Sequence, residues 1–218
     1  MPQRFDVIVF DWDGTLLDST TGIAECIQEA ARALGLPVPS DDRAKHVIGL
    51  GLKDALEHAV PDLRPEDYQR FIAAYRTEFL ARDATMPLFA GTREMLSGLR
   101  TAGHALAIAT GKSHAGLMRS LEGTQLTGVF HATRTADKTA SKPHPQMLLE
   151  LMEELAVAPD RVLMIGDTTH DLRMAESAGV AALGVTFGAH PRAELERAAR
   201  LALMDSTREL HDWLTRNA

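Results

Sequence analysis

The chain has 218 residues, 45% of them hydrophobic and 24% charged, with a formal net charge of −7. It can bury a core as one large domain or as a core with a modest insertion, and its acidic balance argues against nucleic acid as the main partner. No apolar run approaches membrane-spanning length. The single cysteine, Cys26, excludes an internal disulfide framework.

The start Met1-Pro2-Gln3-Arg4 lacks the basic-then-apolar plan of a secretory leader, so the expected location is the cytoplasm and no membrane partner is expected. Cys26 falls in an amphipathic stretch and reads as a buried structural thiol. The nine histidines are scattered, with no His-Glu-x-x-His and no Cys pair, which argues against a zinc site.

The first element is the aliphatic run Val7–Phe10, a predicted buried strand that ends in Asp11-Trp12-Asp13-Gly14-Thr15-Leu16. Two carboxylates one residue apart need neutralising, and Gly14 allows a tight turn without a Cβ penalty. That arrangement suits Mg²⁺, whose oxygen shell a substrate phosphate completes.

From Asp18 to about Met86 the pattern is helical throughout. Ile23, Ile27, Ala31 and Leu34 share one face, ending at Gly35 with Pro37 beyond. A helix is expected over Lys53–Ala59, and Phe71, Ile72, Tyr75 and Phe79 mark another face. Pro87 closes the region. Strand-like runs then recur at Ala105–Ala109, Val162–Ile165, Val180–Val185 and Leu201–Met204, with helical segments over 92–102, 144–156, 169–178 and 206–216.

That alternation predicts an α/β protein: a Rossmann-like parallel sheet covered on both faces, with an all-helical insertion after its first strand. The expected division is 1–17 and 87–218 for the core and 18–86 for the helical cap.

In such sheets ligands collect at the carboxyl ends of strands. Asp11 and Asp13 end the first strand, and Thr110-Gly111 ends the second at the expected start of a helix, where backbone donors suit phosphate oxygens. A later strand ends Gly166-Asp167-Thr168-Thr169-His170-Asp171, and Lys142 lies ahead of it in Ser141-Lys142-Pro143. Four separate segments thus bring acids, a hydroxyl and an ammonium to one sheet edge, the composition of a metal-assisted phosphoryl-transfer site.

Asp11-Trp12-Asp13-Gly14-Thr15, Thr110, Lys142 and Gly166-Asp167 with Asp171 match, in order, the four motifs of the haloacid dehalogenase superfamily, which the chain resembles over essentially its full length. The resemblance extends to a helical cap placed just after the first motif. It implies that Asp11 is the nucleophile, forming an aspartyl-phosphate, and that Asp13 protonates the leaving alkoxide and then activates water. It implies Mg²⁺ held by Asp11, Asp167 and the Asp13 backbone carbonyl, with Asp171 ligating it or binding its waters. Thr110, Gly111 and Lys142 would hold the phosphoryl oxygens. Asp13 sets the chain apart from the family's dehalogenases and phosphonate hydrolases, which lack that acid.

Within the family the leading reading is a phosphatase of a small phosphorylated metabolite. Asp18, Ser19 and Gly22 and the Gly49/Gly51 loop resemble phosphoglycolate phosphatases. A mutase resembling β-phosphoglucomutase is the alternative, and a phospho-accepting receiver or a non-catalytic binding protein are the readings from other classes. The physiological substrate and the oligomeric state have no signature in the sequence.

Three features are read as decoys. Gly111-Lys112-Ser113 imitates a P-loop tail but has Leu106 where a glycine is needed, and Gly49-Leu50-Gly51 has Asp54 in place of a third glycine. His144 and His170 are read as surrounding or exposed groups. In the expected cap, Lys45, His46 and Lys53 are read either as contacts for an anionic leaving group or as surface charges.

Overall fold

The computed structural model describes residues 4–83 and 86–218. The reading of the first three residues as free of a leader, and positions 84–85 of the helical insertion, lie outside them.

Six parallel strands form one sheet: β1 (Val7–Phe10), β2 (Ala105–Thr110), β3 (Ala132–Thr135), β4 (Val162–Gly166), β5 (Ala181–Val185) and β6 (Ala202–Met204). Their order is β3-β2-β1-β4-β5-β6. β1 therefore lies between β2 and β4, with Val7–Phe10 opposite Ala105–Ile108 on one side and Val162–Ile165 on the other. The chain reverses its direction of winding between β1 and β4, the topological switch point where such sheets bind ligands.

Period-two alternation sends the aliphatic strand residues to opposite faces. Ile8, Phe10, Leu106, Ile108, Leu163 and Ile165 pack on α5 (Thr92–Ala102), α6 (His114–Gly123) and α10 (Thr207–Asn217). Val7, Val9, Ala107, Ala109, Val162 and Met164 pack on α7 (Gln146–Glu154), α8 (Thr169–Ser177) and Leu195 of the short α9 (Arg192–Leu195). Burial on both faces is why these strands read as continuous apolar runs.

Between β1 and β2 the described residues contain no strand. Ahead of α5 they form α1 (Thr20–Ala33), α2 (Asp41–His46), α3 (Leu52–Ala59) and α4 (Tyr68–Asp83), with a 3-10 turn at Pro65–Asp67. Ile23, Ile27, Ala30, Leu56, Phe71 and Phe79 give these helices a separate apolar core. The two chain segments linking this layer to the sheet run side by side, the Asp18 N–H donating to the Pro87 carbonyl at 2.9 Å.

Several elements depart from the sequence reading, the short α9 among them. β3 was not expected, because Ala-Thr-Arg-Thr on a sheet edge lacks an aliphatic run. α2 is a six-residue helix, too short to show a period. α6 starts at His114, with the Ser113 hydroxyl accepting from Gly116 N–H, so Gly111 precedes the helix rather than opening it.

Leu163 is fully buried in the central β4. Leu163→Ala should lower unfolding stability by about 3 kcal/mol, measured by urea denaturation; a loss below about 1 kcal/mol would mean that the sheet relaxes around the cavity.

Candidate active site

The carboxyl ends of β1 and β4 place Asp11, Asp167 and Asp171 so that carboxylate oxygens of all three lie within 4.8 Å of one another, all buried. Lys142, fully buried itself, puts its Nζ 2.8 Å from Asp11 Oδ1 and 2.6 Å from Asp171 Oδ1. One ammonium thus faces three acids.

Each acid is oriented by a distinct local feature. The Asp11 N–H extends the β ladder to the Ile165 carbonyl at 2.9 Å. Asp167 accepts the Thr15 hydroxyl on Oδ1 at 2.8 Å and the Ala189 N–H on Oδ2 at 2.7 Å. Asp171 is the N3 residue of a capping box whose N-cap is Thr168, at the start of α8. Its Oδ2 accepts the Thr168 N–H and hydroxyl at 3.1 and 2.6 Å. It therefore serves the helix end and the acidic cluster together.

Glycines clear this space. A Cβ at Gly14, where φ is +84°, or at Gly188 would overlap Asp167 Oδ2. Between the two motif acids, Trp12 turns into the core, its Nε1–H donating to Ser120 Oγ at 2.9 Å.

Asp13 Oδ1 accepts from Ser19 Oγ at 2.9 Å and from Lys112 Nζ at 3.1 Å. Lys112 Nζ also lies 4.5 Å from the centre of the Phe79 ring, on α4. Burial and the nearby Asp13 charge push the Tyr75 phenol upward, and burial raises Asp83 against the pull of Lys112 and Arg119. The space beside Asp13 therefore receives groups from the helical layer.

Thr110 ends β2 next to β1, and Gly111 follows it. The Thr110 hydroxyl accepts the Lys112 N–H at 3.2 Å, and a Cβ on Gly111 would overlap the Leu50 carbonyl. The loop between α2 and α3 thus rests directly on the sheet edge. Ser141, just before Lys142, accepts the Gly51 N–H at 2.8 Å.

The structure brings Asp11, Lys142, Asp167 and Asp171 into contact and sets Asp13, Thr110 and Gly111 beside them. Lys53 lies elsewhere, largely exposed and 3.9 Å from Glu57, and His144 is exposed. His170 is buried. The sequence reading missed Lys112 as a partner of Asp13, having weighed it only against a P-loop. It also missed Ala189, which supplies a backbone donor and so leaves no side-chain signal.

These residues fit a divalent cation. Asp11 Oδ1 and Oδ2 are buried and make no hydrogen bond of normal geometry, and three carboxylates against one ammonium leave negative charge to be offset. An all-oxygen donor set suits a hard ion. Burial pushes Asp11 well above the usual carboxylate range despite Lys142, and burial with repulsion from Asp171 brings Asp167 to about 7.

A family model described as haloacid dehalogenase-like hydrolase matches residues 8–185. A protein of Dickeya dadantii named probable phosphatase IndB is 36% identical over 211 residues, 94% of this chain and 91% of that protein. The phosphoglycolate phosphatase of Agrobacterium fabrum is 32% identical over 200 residues, 86% of this chain and 84% of that one. The crystal structure of a Bacteroides fragilis protein assigned as a haloacid dehalogenase-like hydrolase superposes with a TM-score of 0.87 at 27% identity, over 95% of this chain and 100% of that one.

A raised acid pKa binds extra protons in the folded state between its unfolded value, about 4, and its folded one, so its contribution to stability declines as pH rises through that window. For Asp167 the window closes at about 7. In EDTA, Asp167→Asn should flatten the decline of urea-unfolding stability over this range relative to the parent. Superimposable profiles would mean that Asp167 is already ionised there.

Proposed function

The chain belongs to the haloacid dehalogenase-like hydrolases, and from that premise we propose that it is a Mg²⁺-dependent phosphatase of a small phosphomonoester, working through an aspartyl-phosphate on Asp11. The observation that carries this reading is the buried Asp11 carboxylate, held 2.8 Å from Lys142 Nζ beside Asp167 and Asp171. Phosphoryl transfer is catalysed mainly by position and charge compensation, which this cluster supplies.

Asp11, Asp167 and the Asp13 backbone carbonyl would hold Mg²⁺, with Asp171 ligating it directly or through water. When bound, the ion offsets the repulsion between carboxylate and phosphate. Lys142, Thr110 and the Gly111 N–H would bind the phosphoryl oxygens.

An Asp11 oxygen attacks phosphorus while the bond to the leaving oxygen breaks, and protonated Asp13 gives that oxygen its proton. Asp13, now a carboxylate, takes a proton from the water that attacks the aspartyl-phosphate. This second attack releases inorganic phosphate and restores Asp11. Two displacements replace one difficult step. The pair of bonds from Ser19 and Lys112 orients Asp13 toward the leaving group.

Residues 1–17 and 87–218 are the catalytic core in this reading, and 18–86 are the cap. The paired linkers at Asp18 and Pro87 would serve as its hinges, closing the site against bulk water. Phosphoglycolate is the leading substrate, supported by the relative of that name and by the Lys112 ammonium beside Asp13, which suits an anionic leaving group.

Asp11→Asn should lower Mg²⁺-dependent phosphatase turnover at least about a thousandfold with an unchanged far-UV circular dichroism spectrum; parental turnover in that variant would remove Asp11 as nucleophile. Across phosphoglycolate, sugar phosphates and pyrophosphate, kcat/KM should be highest for phosphoglycolate. Conversion of a sugar monophosphate to its isomer, primed by the bisphosphate, would place the chain with the mutases instead.

A further inference from the structure

Three imidazoles meet at the contact between the cap and the core, outside the carboxylate cluster. His46 ends α2, His170 lies in the first turn of α8, and His190 stands between β5 and α9. The main-chain carbonyl of His46 is 2.9 Å from Nε2 of both His170 and His190. A carbonyl in the last turn of a helix has no partner further along it, and here two rings from the core supply donors. The Thr169 N–H points at His190 Nδ1 from 3.1 Å, which makes Nδ1 the acceptor and leaves the proton on Nε2, facing the carbonyl.

The cluster has the composition of a metal site but not its geometry. The rings of His46 and His190 are stacked 4.5 Å apart and within 6° of parallel, so their in-plane lone pairs do not converge on one ion. The Nε2 positions of His170 and His190 are used as donors. Glu194 Oε2 lies 3.4 Å from His46 Nδ1 and completes a polar seat for that residue.

His46 is followed within a few residues by the loop that covers the catalytic groups. A Cβ on Gly49 would lie 3.8 Å from Asp11 Oδ2, the Leu50 carbonyl occupies the place of a Gly111 side chain, and Gly51 N–H is held by Ser141. The loop is therefore tied to the core at both ends, by two imidazoles before it and by Ser141 after it.

We propose that His170 and His190 are positioning residues: by clasping the His46 carbonyl they register the Gly49-Leu50-Gly51 backbone over Asp11 and Gly111 when the cap is closed. Neither ring touches the reacting atoms; they act through the loop. The inference rests on the reading of Asp11 as the reacting carboxylate and of residues 18–86 as the cap.

The test compares His170→Phe with His190→Phe, which remove the donor, against His170→Gln with His190→Gln, which keep an N–H at a similar reach. Amide hydrogen exchange read in an Asp11→Asn background reports the clasp without turnover, so it fails or succeeds separately from the nucleophile assignment. The Phe pair should speed exchange at residues 48–51 about tenfold while β1 and β4 are unchanged. With Asp11 intact, kcat/KM should fall about tenfold, chiefly through KM. The Gln pair should restore both to within about threefold of the parent. Unchanged exchange at 48–51 in a folded Phe pair, or a Gln pair no better than the Phe pair, would overturn the proposal. If the double Phe chain does not fold, His170→Phe against His170→Gln decides it by the same readouts.

Discussion

One buried ammonium among three buried carboxylates is the constraint on which the rest of this molecule is arranged. Lys142 reaches Asp11 and Asp171 at 2.8 and 2.6 Å with no exposure to solvent. Removing charges from water costs several kcal/mol each, and a cluster with more acids than bases is sustained only by a rigid surround and by further positive charge. The surround consists of backbone and hydroxyl donors: Ala189 and Thr15 on Asp167, Thr168 on Asp171. The further charge is the role assigned to the divalent ion.

The same crowding accounts for the glycines. Gly14 and Gly188 border Asp167 so closely that a methyl group on either would overlap its carboxylate, and Gly111 leaves room for the Leu50 carbonyl. Backbone is brought against the acids from both sides, the core and the helical layer. A site open to water on that side would screen its charges; a backbone lid excludes water while adding only dipoles.

Much of the fold was legible because apolar burial leaves a periodic trace. The recognised strands are aliphatic runs, those inside the sheet buried on two faces, and the expected helical segment 92–102 coincides with α5. β3 left no such trace, since a four-residue edge strand of Ala-Thr-Arg-Thr needs no apolar run. At the candidate site the acids, Thr110 and Gly111 were visible as motif positions at or just beyond strand ends, and Lys142 as a motif lysine ahead of a helix. Lys112 was visible only as part of a failed P-loop, and its pairing with Asp13 spans 99 residues of sequence.

From the sequence alone came the class of fold, the placement of a helical insertion after the first strand, and the set of charged residues gathered at one sheet edge, because hydrophobic period and turn chemistry are local properties. Tertiary structure alone decided which acid faces which cation, that Asp171 caps α8 while touching Lys142, and that two histidines hold a carbonyl of α2. Those pairings join elements far apart in the chain. Their geometry follows from how layers pack and from which groups lose water together, quantities that no window of sequence contains.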